Sequence, residues 1–178
     1  VHSLAVTIGP RSYQDPANLH AAADLISRRF TSYGYALTEQ PYQVEELAVR
    51  NIIAERRGMD QPDRVIVVGA HYDTVVGSPG ADDNASGVAV LLELARLHAG
   101  TRFRKTVRFV AFTLEEPPFF RSRYMGSRIY TYWLKERGDQ IEAMLCLESV
   151  GYYSREPGSQ SFPFPVFWLR WRYPTTGN

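Results

Sequence analysis

Cysteine is almost missing from this chain. Cys146 stands alone, which excludes an intrachain disulfide framework. It falls inside an apolar run, so a buried and inert thiol is the expectation. A surplus of either charge is missing too: 20 Lys and Arg face 19 Asp and Glu, for a net charge of +1. That balance removes the usual electrostatic argument for a nucleic-acid or membrane-surface partner. The basic run Arg102, Arg104, Lys105 and Arg108 is local, and it reads as a solvated strand end rather than a phosphate site. No segment reaches the roughly 18 apolar residues of a membrane span. No signal peptide is visible in a chain that opens on Val1, which leaves its compartment open. Histidine is scarce, limited to His2, His20, His71 and His98.

What is present describes one globular domain. A chain of 178 residues, 44% apolar and 22% charged, is long enough to bury a sizeable core. Asp15-Pro16 followed by Leu19, Ala22, Ala23, Ile26 and Phe30 predicts a helix with proline in its first turn, closed by Gly34. Two strands are expected from Tyr35 to Gln43 and from Val49 to Glu55, then a polar turn from Gly58 to Asp63. Val65 to Ala70 is apolar on both faces, as in a central strand covered by helices. A helix from about Ala85 to Ala99, a strand from Thr106 to Leu114, a helix from Ser127 to Arg137 and a last buried strand from Ile141 to Leu147 follow. This alternation implies an α/β fold with a mostly parallel central sheet and helices on both faces. There is no internal repeat. Beyond Tyr152 the pattern gives way to Pro, Gly, Ser and aromatics, and Phe162, Phe164, Phe167, Trp168, Trp171 and Tyr173 are expected to pack onto the domain body or onto residues outside this sequence.

The chemistry-bearing residues gather at the ends of the expected central strands. One ends in His71, one in Glu115-Glu116 and one in Glu148, while Asp83 precedes the intervening helix. In open α/β sheets, ligands bind beyond the carboxyl ends of the strands. Four carboxylates and one imidazole at such an edge would repel strongly without a cation. Mixed histidine and carboxylate donors suit zinc, and less specifically cobalt or manganese. Each residue also has a plainer role: Asp83 or Asn84 as a helix cap, Glu115-Glu116 as an acidic loop before Pro117-Pro118, Asp73 as a turn residue. Taken together, those plainer roles do not explain why every central strand ends in a ligand-type residue.

The motifs GAHYDTV, GADDNASGVAVLLELA, FTLEEPPFF with the following MGS, and LESVGYY, with IGPRS and VRNIIA upstream, resemble the family of co-catalytic di-zinc aminopeptidases. Glutamate carboxypeptidase II and glutaminyl cyclase are its relatives. The resemblance implies a zinc-exopeptidase fold and two zinc ions bridged by Asp83. His71 and Glu148 would complete one site, with Glu148 standing where many relatives have aspartate, and Glu116 would hold the other ion. Glu115 would be the general base beside the bridging water, and Asp73 would fix the ring of His71. The resemblance also implies a cis peptide between Asp83 and Asn84, and a peptide substrate with a free N-terminus.

One departure stands out. The family's remaining ligand is a histidine far downstream of LESVGYY, and none of His2, His20 or His98 suits that place. The chain therefore resembles the first part of a catalytic domain whose C-terminal part is missing. One well-held zinc is expected, at His71, Asp83 and Glu148, with weak or absent metal at Glu116. A shortened sheet is expected to leave an unpaired edge and so to favour self-association. The leading expectation is a zinc aminopeptidase or part of one. The alternatives are a glutaminyl-cyclase-like acyltransferase and a non-catalytic scaffold domain.

Overall fold

A computed structural model describes residues 1–159 and 165–172. A wide-turned helical segment, Ser3–Ile8, leads into α1 (Pro16–Ser32), the antiparallel pair β1 (Ala36–Val44) and β2 (Leu47–Arg56), and β3 (Gln61–His71). Then come α2 (Ala85–Leu97), β4 (Lys105–Phe112), α3 (Gly126–Arg137), β5 (Gln140–Cys146) and a short 3-10 turn, Phe167–Trp171. The sheet runs in the order β1-β2-β4-β3-β5. β3 pairs in parallel with both β4 and β5. β2 pairs antiparallel with both β1 and β4, so it alone runs against the other strands.

Alternation along the strands sorts the core onto two faces. Ile52 and Ala54 of β2, Val68 and Ala70 of β3 and Phe109 and Ala111 of β4 face α1 and α2. Their neighbours Ile53, Val65, Val67, Val110 and Phe112 face Tyr130 and Leu134 of α3. Helices thus cover both faces, as the sequence pattern implies. Leu19, Ala22, Ala23, Ile26 and Phe30 are the buried stripe of α1. Asp15 does not cap that helix with its side chain; its Oδ2 accepts from Ser12 Oγ at 2.6 Å instead. Each fully buried Leu, Ile or Phe contributes about 1.5–3 kcal/mol.

Several expectations need correction. The run Ile141 to Leu147 was expected to be buried, yet every residue of β5 is exposed. Only β3 pairs with it among the described residues, and α3 packs over Val67 and Val110 rather than over β5. An apolar run records what a segment could bury, not whether a neighbour covers it. For the same reason Cys146 is exposed rather than buried. Trp168 and Trp171 are largely exposed on this domain. Phe162, Phe164 and Tyr173, and the Phe167 side chain, lie outside what is described. Arg108 is not a solvated strand end: it is 2% exposed and pairs with Glu55 Oε2 at 2.6 Å and Asp139 Oδ2 at 2.7 Å. Its neighbours do behave as surface charges, with Arg104 paired to Asp60 and Lys105 to Glu142. Among the described residues no helix is long and apolar enough to cross a membrane.

Candidate metal centre

Because β3, β4 and β5 are parallel neighbours, their carboxyl ends open on the same side. His71 is the last residue of β3, Glu115 and Glu116 follow β4, and Glu148 follows β5. Asp83 stands just before α2, joined to Asn84 by a cis peptide as the family resemblance implies; Pro117-Pro118 is also cis. His71, Asp83, Glu115, Glu116 and Glu148 line a cleft of about 470 Å³, together with Ser127 and Phe112.

The imidazole is its centre. His71 Nε2 lies 3.1 Å from Asp83 Oδ1 and 3.3 Å from Glu148 Oε1. One ligand atom from each of the three residues lies within 4.8 Å of the others. On the opposite side of the ring, Nδ1 faces the Asp73 carbonyl at 3.2 Å and Asp73 Oδ1 at 3.4 Å. Asp73 is buried; its Oδ2 accepts from Glu116 N at 3.0 Å, while Oδ1 is buried without a hydrogen-bond partner.

The charges show what the cluster lacks. Burial alone would lower the His71 pKa, but Asp73 and Glu148 outweigh it and push it up to about 11. Burial and the nearby Glu148 raise the Asp83 carboxyl, and burial and Asp83 raise Glu116. The hydrogen bond from His71 lowers Glu148. Among the described residues, a protonated His71 imidazole would be the only positive charge within this cluster. A divalent cation at the same place would neutralise the carboxylates while leaving the ring neutral, with Asp73 orienting it through Nδ1. Nitrogen and carboxylate donors of this kind fit zinc.

The facing wall carries Glu115. Its Oε1 accepts from Ser127 N at 2.6 Å and its Oε2 from Ser127 Oγ at 3.0 Å. Burial outweighs these bonds and raises its pKa to about 7. Asn51 of β2 sets the start of α3, and with it Ser127, by donating to Gly126 O at 2.8 Å and accepting from Thr113 N at 3.1 Å.

The loop between His71 and Asp83 is secured from the N-terminal side. Arg11 is fully buried, and its guanidinium donates to the carbonyls of Leu4, Gly9, Tyr72, Pro79 and Gly80. Burial lowers its pKa to about 10, against the pull of Asp73.

All the site residues expected from the sequence therefore meet in or directly behind one cleft. His71, Asp83 and Glu148 form the tight cluster, Glu116 and Glu115 line the same space, and Asp73 backs the imidazole. The other histidines stay out of it: His20 Nε2 contacts Ala48 O, and His98 contacts Thr101 and Phe103. Ser127, Asn51 and Arg11 had no role in the sequence reading. The nearest signals were the MGS, VRNIIA and IGPRS segments, noted without a function.

The fold, with this cluster at its strand ends, is that of zinc aminopeptidases. It superposes on the zinc aminopeptidase BSAP from Bacillus subtilis with a TM-score of 0.76, over 89% of this chain and 69% of that one, at 18% identity. The family model described as Peptidase family M28 matches residues 51–164, and the chain belongs to this family. It is 40% identical over 186 aligned positions to the uncharacterized protein YfbL of Escherichia coli (strain K12), covering 100% of this chain and 55% of the relative. It is also 41% identical over 127 positions to aminopeptidase YwaD of Bacillus subtilis (strain 168), covering 66% of this chain and 27% of that protein. The chain thus spans about half the length of YfbL, and less of YwaD.

Proposed function

We propose that this chain carries the metal centre of a zinc-dependent aminopeptidase that hydrolyses N-terminal peptide bonds. The observation that supports this most is the convergence of His71, Asp83 and Glu148 within 4.8 Å, with Glu115 lining the same cleft. His71, Asp83 and Glu148 would hold a zinc ion well, and Asp83 with Glu116 a second one weakly. Held by these residues, a zinc ion would supply Lewis acidity toward the scissile carbonyl and toward a water.

The protein's own groups do the rest. Glu115 accepts the proton of the attacking water on a carboxylate oxygen and hands it to the nitrogen of the leaving amine. The two Ser127 bonds fix the direction of that carboxylate, and a pKa of about 7 suits a group that must both take and give a proton. Asp73 keeps the His71 ring facing the cleft through its Nε2.

Hydrolysis of aminoacyl-nitroanilides with added zinc tests this reading. Glu115→Gln should lower kcat by about 10²–10⁴ while leaving the fold intact. Equal rates in the variant and the parent would refute Glu115 as the base. Cyclisation of N-terminal glutaminyl peptides without nitroanilide hydrolysis would favour the acyltransferase alternative. Zinc bound with neither activity would favour a scaffold domain.

The outer edge of β5, unpaired among the described residues and with Ile141, Met144 and Leu145 exposed, also supports pairing with a second copy of the chain. Sedimentation velocity over a wide concentration range should show mass rising with concentration. A constant monomer would rule the association out.

A further inference from the structure

We infer that Asn84 is a positioning residue for the metal centre: its carboxamide folds the Glu148 loop against the start of α2 and aims Glu148 at His71. This goes beyond the aminopeptidase reading, but rests on it for the role of Glu148.

Asn84 is fully buried and uses every hydrogen-bonding position of its side chain. Its Oδ1 accepts from Gly87 N at 3.1 Å and from Ser149 N at 3.3 Å. Its Nδ2 donates to Leu147 O at 2.8 Å and to Glu148 Oε2 at 3.4 Å. Both oxygen contacts are backbone N–H groups, so the orientation of the amide is fixed. A helix cap alone needs only the Gly87 bond. The other three all go to the segment that carries Glu148.

The residues on either side continue the same contact. Val150 N donates to Ser86 Oγ at 3.0 Å, and Gly151 N donates to Asp82 Oδ1 at 2.7 Å. Three successive amides, those of Ser149, Val150 and Gly151, are thus received by Asn84, Ser86 and Asp82. The polar alternation in DDNAS is the template for a loop more than sixty positions away. Gly87 makes the approach feasible, because a Cβ there would sit 2.5 Å from Leu147 O. The long 3.4 Å contact to Glu148 then matters for direction more than for strength. It restrains Oε2 while Oε1 faces His71 Nε2.

The test measures zinc affinity of the whole chain by competition with a chromophoric chelator. Asn84→Ser keeps an oxygen able to cap α2, yet is too short to reach Leu147 and Glu148. It should weaken zinc binding about 10–100-fold, the range for groups that orient a ligand. In a Glu148→Ala background the same change should have almost no effect, because the ligand it orients is gone. Wild-type affinity in a folded Asn84→Ser variant would overturn the inference. So would equal weakening in both backgrounds, which would make Asn84 a general structural residue. If Asn84→Ser does not fold, Ser86→Ala goes through the same cycle: weakening that depends on Glu148 supports the inference, and no such dependence overturns it. Unchanged zinc affinity in His71→Ala would overturn the metal centre itself, an outcome distinct from failure of the Asn84 variants alone.

Discussion

Two clusters of charged side chains sit on this sheet, and they are built in opposite ways. On β4, Arg108 is enclosed by Glu55 and Asp139 at 2.6 and 2.7 Å and lies over the Trp133 ring. Burial works against its charge, but the two carboxylates more than offset that and hold its pKa above the usual value. Each charge there has its partner within the protein. At the carboxyl ends of β3, β4 and β5, carboxylates outnumber the one imidazole, and burial raises Asp83, Glu115 and Glu116. A satisfied cluster of the first kind does structural work. The second leaves its carboxylates without a matching number of cations among the described residues, and on the proposed function a bound zinc would meet that shortfall.

The contrast makes claims that can be broken. Replacing Arg108 by alanine leaves Glu55 without its ion-pair partner and Asp139 with Arg137 alone, and should cost about 3 kcal/mol of stability. Zinc affinity should stay at the wild-type level in chemical-denaturation and chelator-competition measurements on the same samples; a parallel fall in both would merge the two clusters into one. Zinc should act in reverse. At a free concentration about 100 times its Kd it should raise stability by about 2.7 kcal/mol in the parent chain, and His71→Ala should abolish most of that gain in thermal denaturation. A gain of the same size in Arg108→Ala would complete the separation.

The smallest effect concerns acid. Burial pushes the Asp139 carboxyl up, but Arg108 and Arg137 more than compensate, so its pKa lies below the usual carboxylate range. A group depressed in the folded state contributes stability above its unfolded pKa of about 4, and loses it as pH falls through the folded value. Asp139→Asn should therefore flatten the acid limb of the stability curve below about pH 4 and leave its neutral region parallel to the parent's. An unchanged acid limb in urea titrations would show that Arg108 holds its partner less firmly than the distances imply.

The two clusters also differed in how readable they were. His71, Glu115, Glu116 and Glu148 were legible because strand ends are easy to locate from apolar runs, and Asp83 because it stands just before the intervening helix. The strand and helix order was legible for the same reason: alternation and turn residues are local signals. Arg108 was misread because its partners lie 53 and 31 positions away, and nothing near it announces them. Ser127 is an ordinary serine until α3 begins beside Glu115. The exposure of β5 and Cys146 depends on which neighbours cover a strand, and hydrophobicity alone carries no record of that.

The buried guanidinium of Arg11 has a consequence for local opening. Its five carbonyl acceptors come from Leu4 and Gly9 on one side and from Tyr72, Pro79 and Gly80 on the other. Neither segment can detach without breaking the guanidinium's hydrogen bonds to the other, so the two should breathe as one cooperative unit. Amide hydrogens near the N-terminus and those between His71 and Asp83 would then exchange with a shared opening free energy. Loosening the first dozen residues would shorten the lifetime of the closed loop, although none of them lines the cleft.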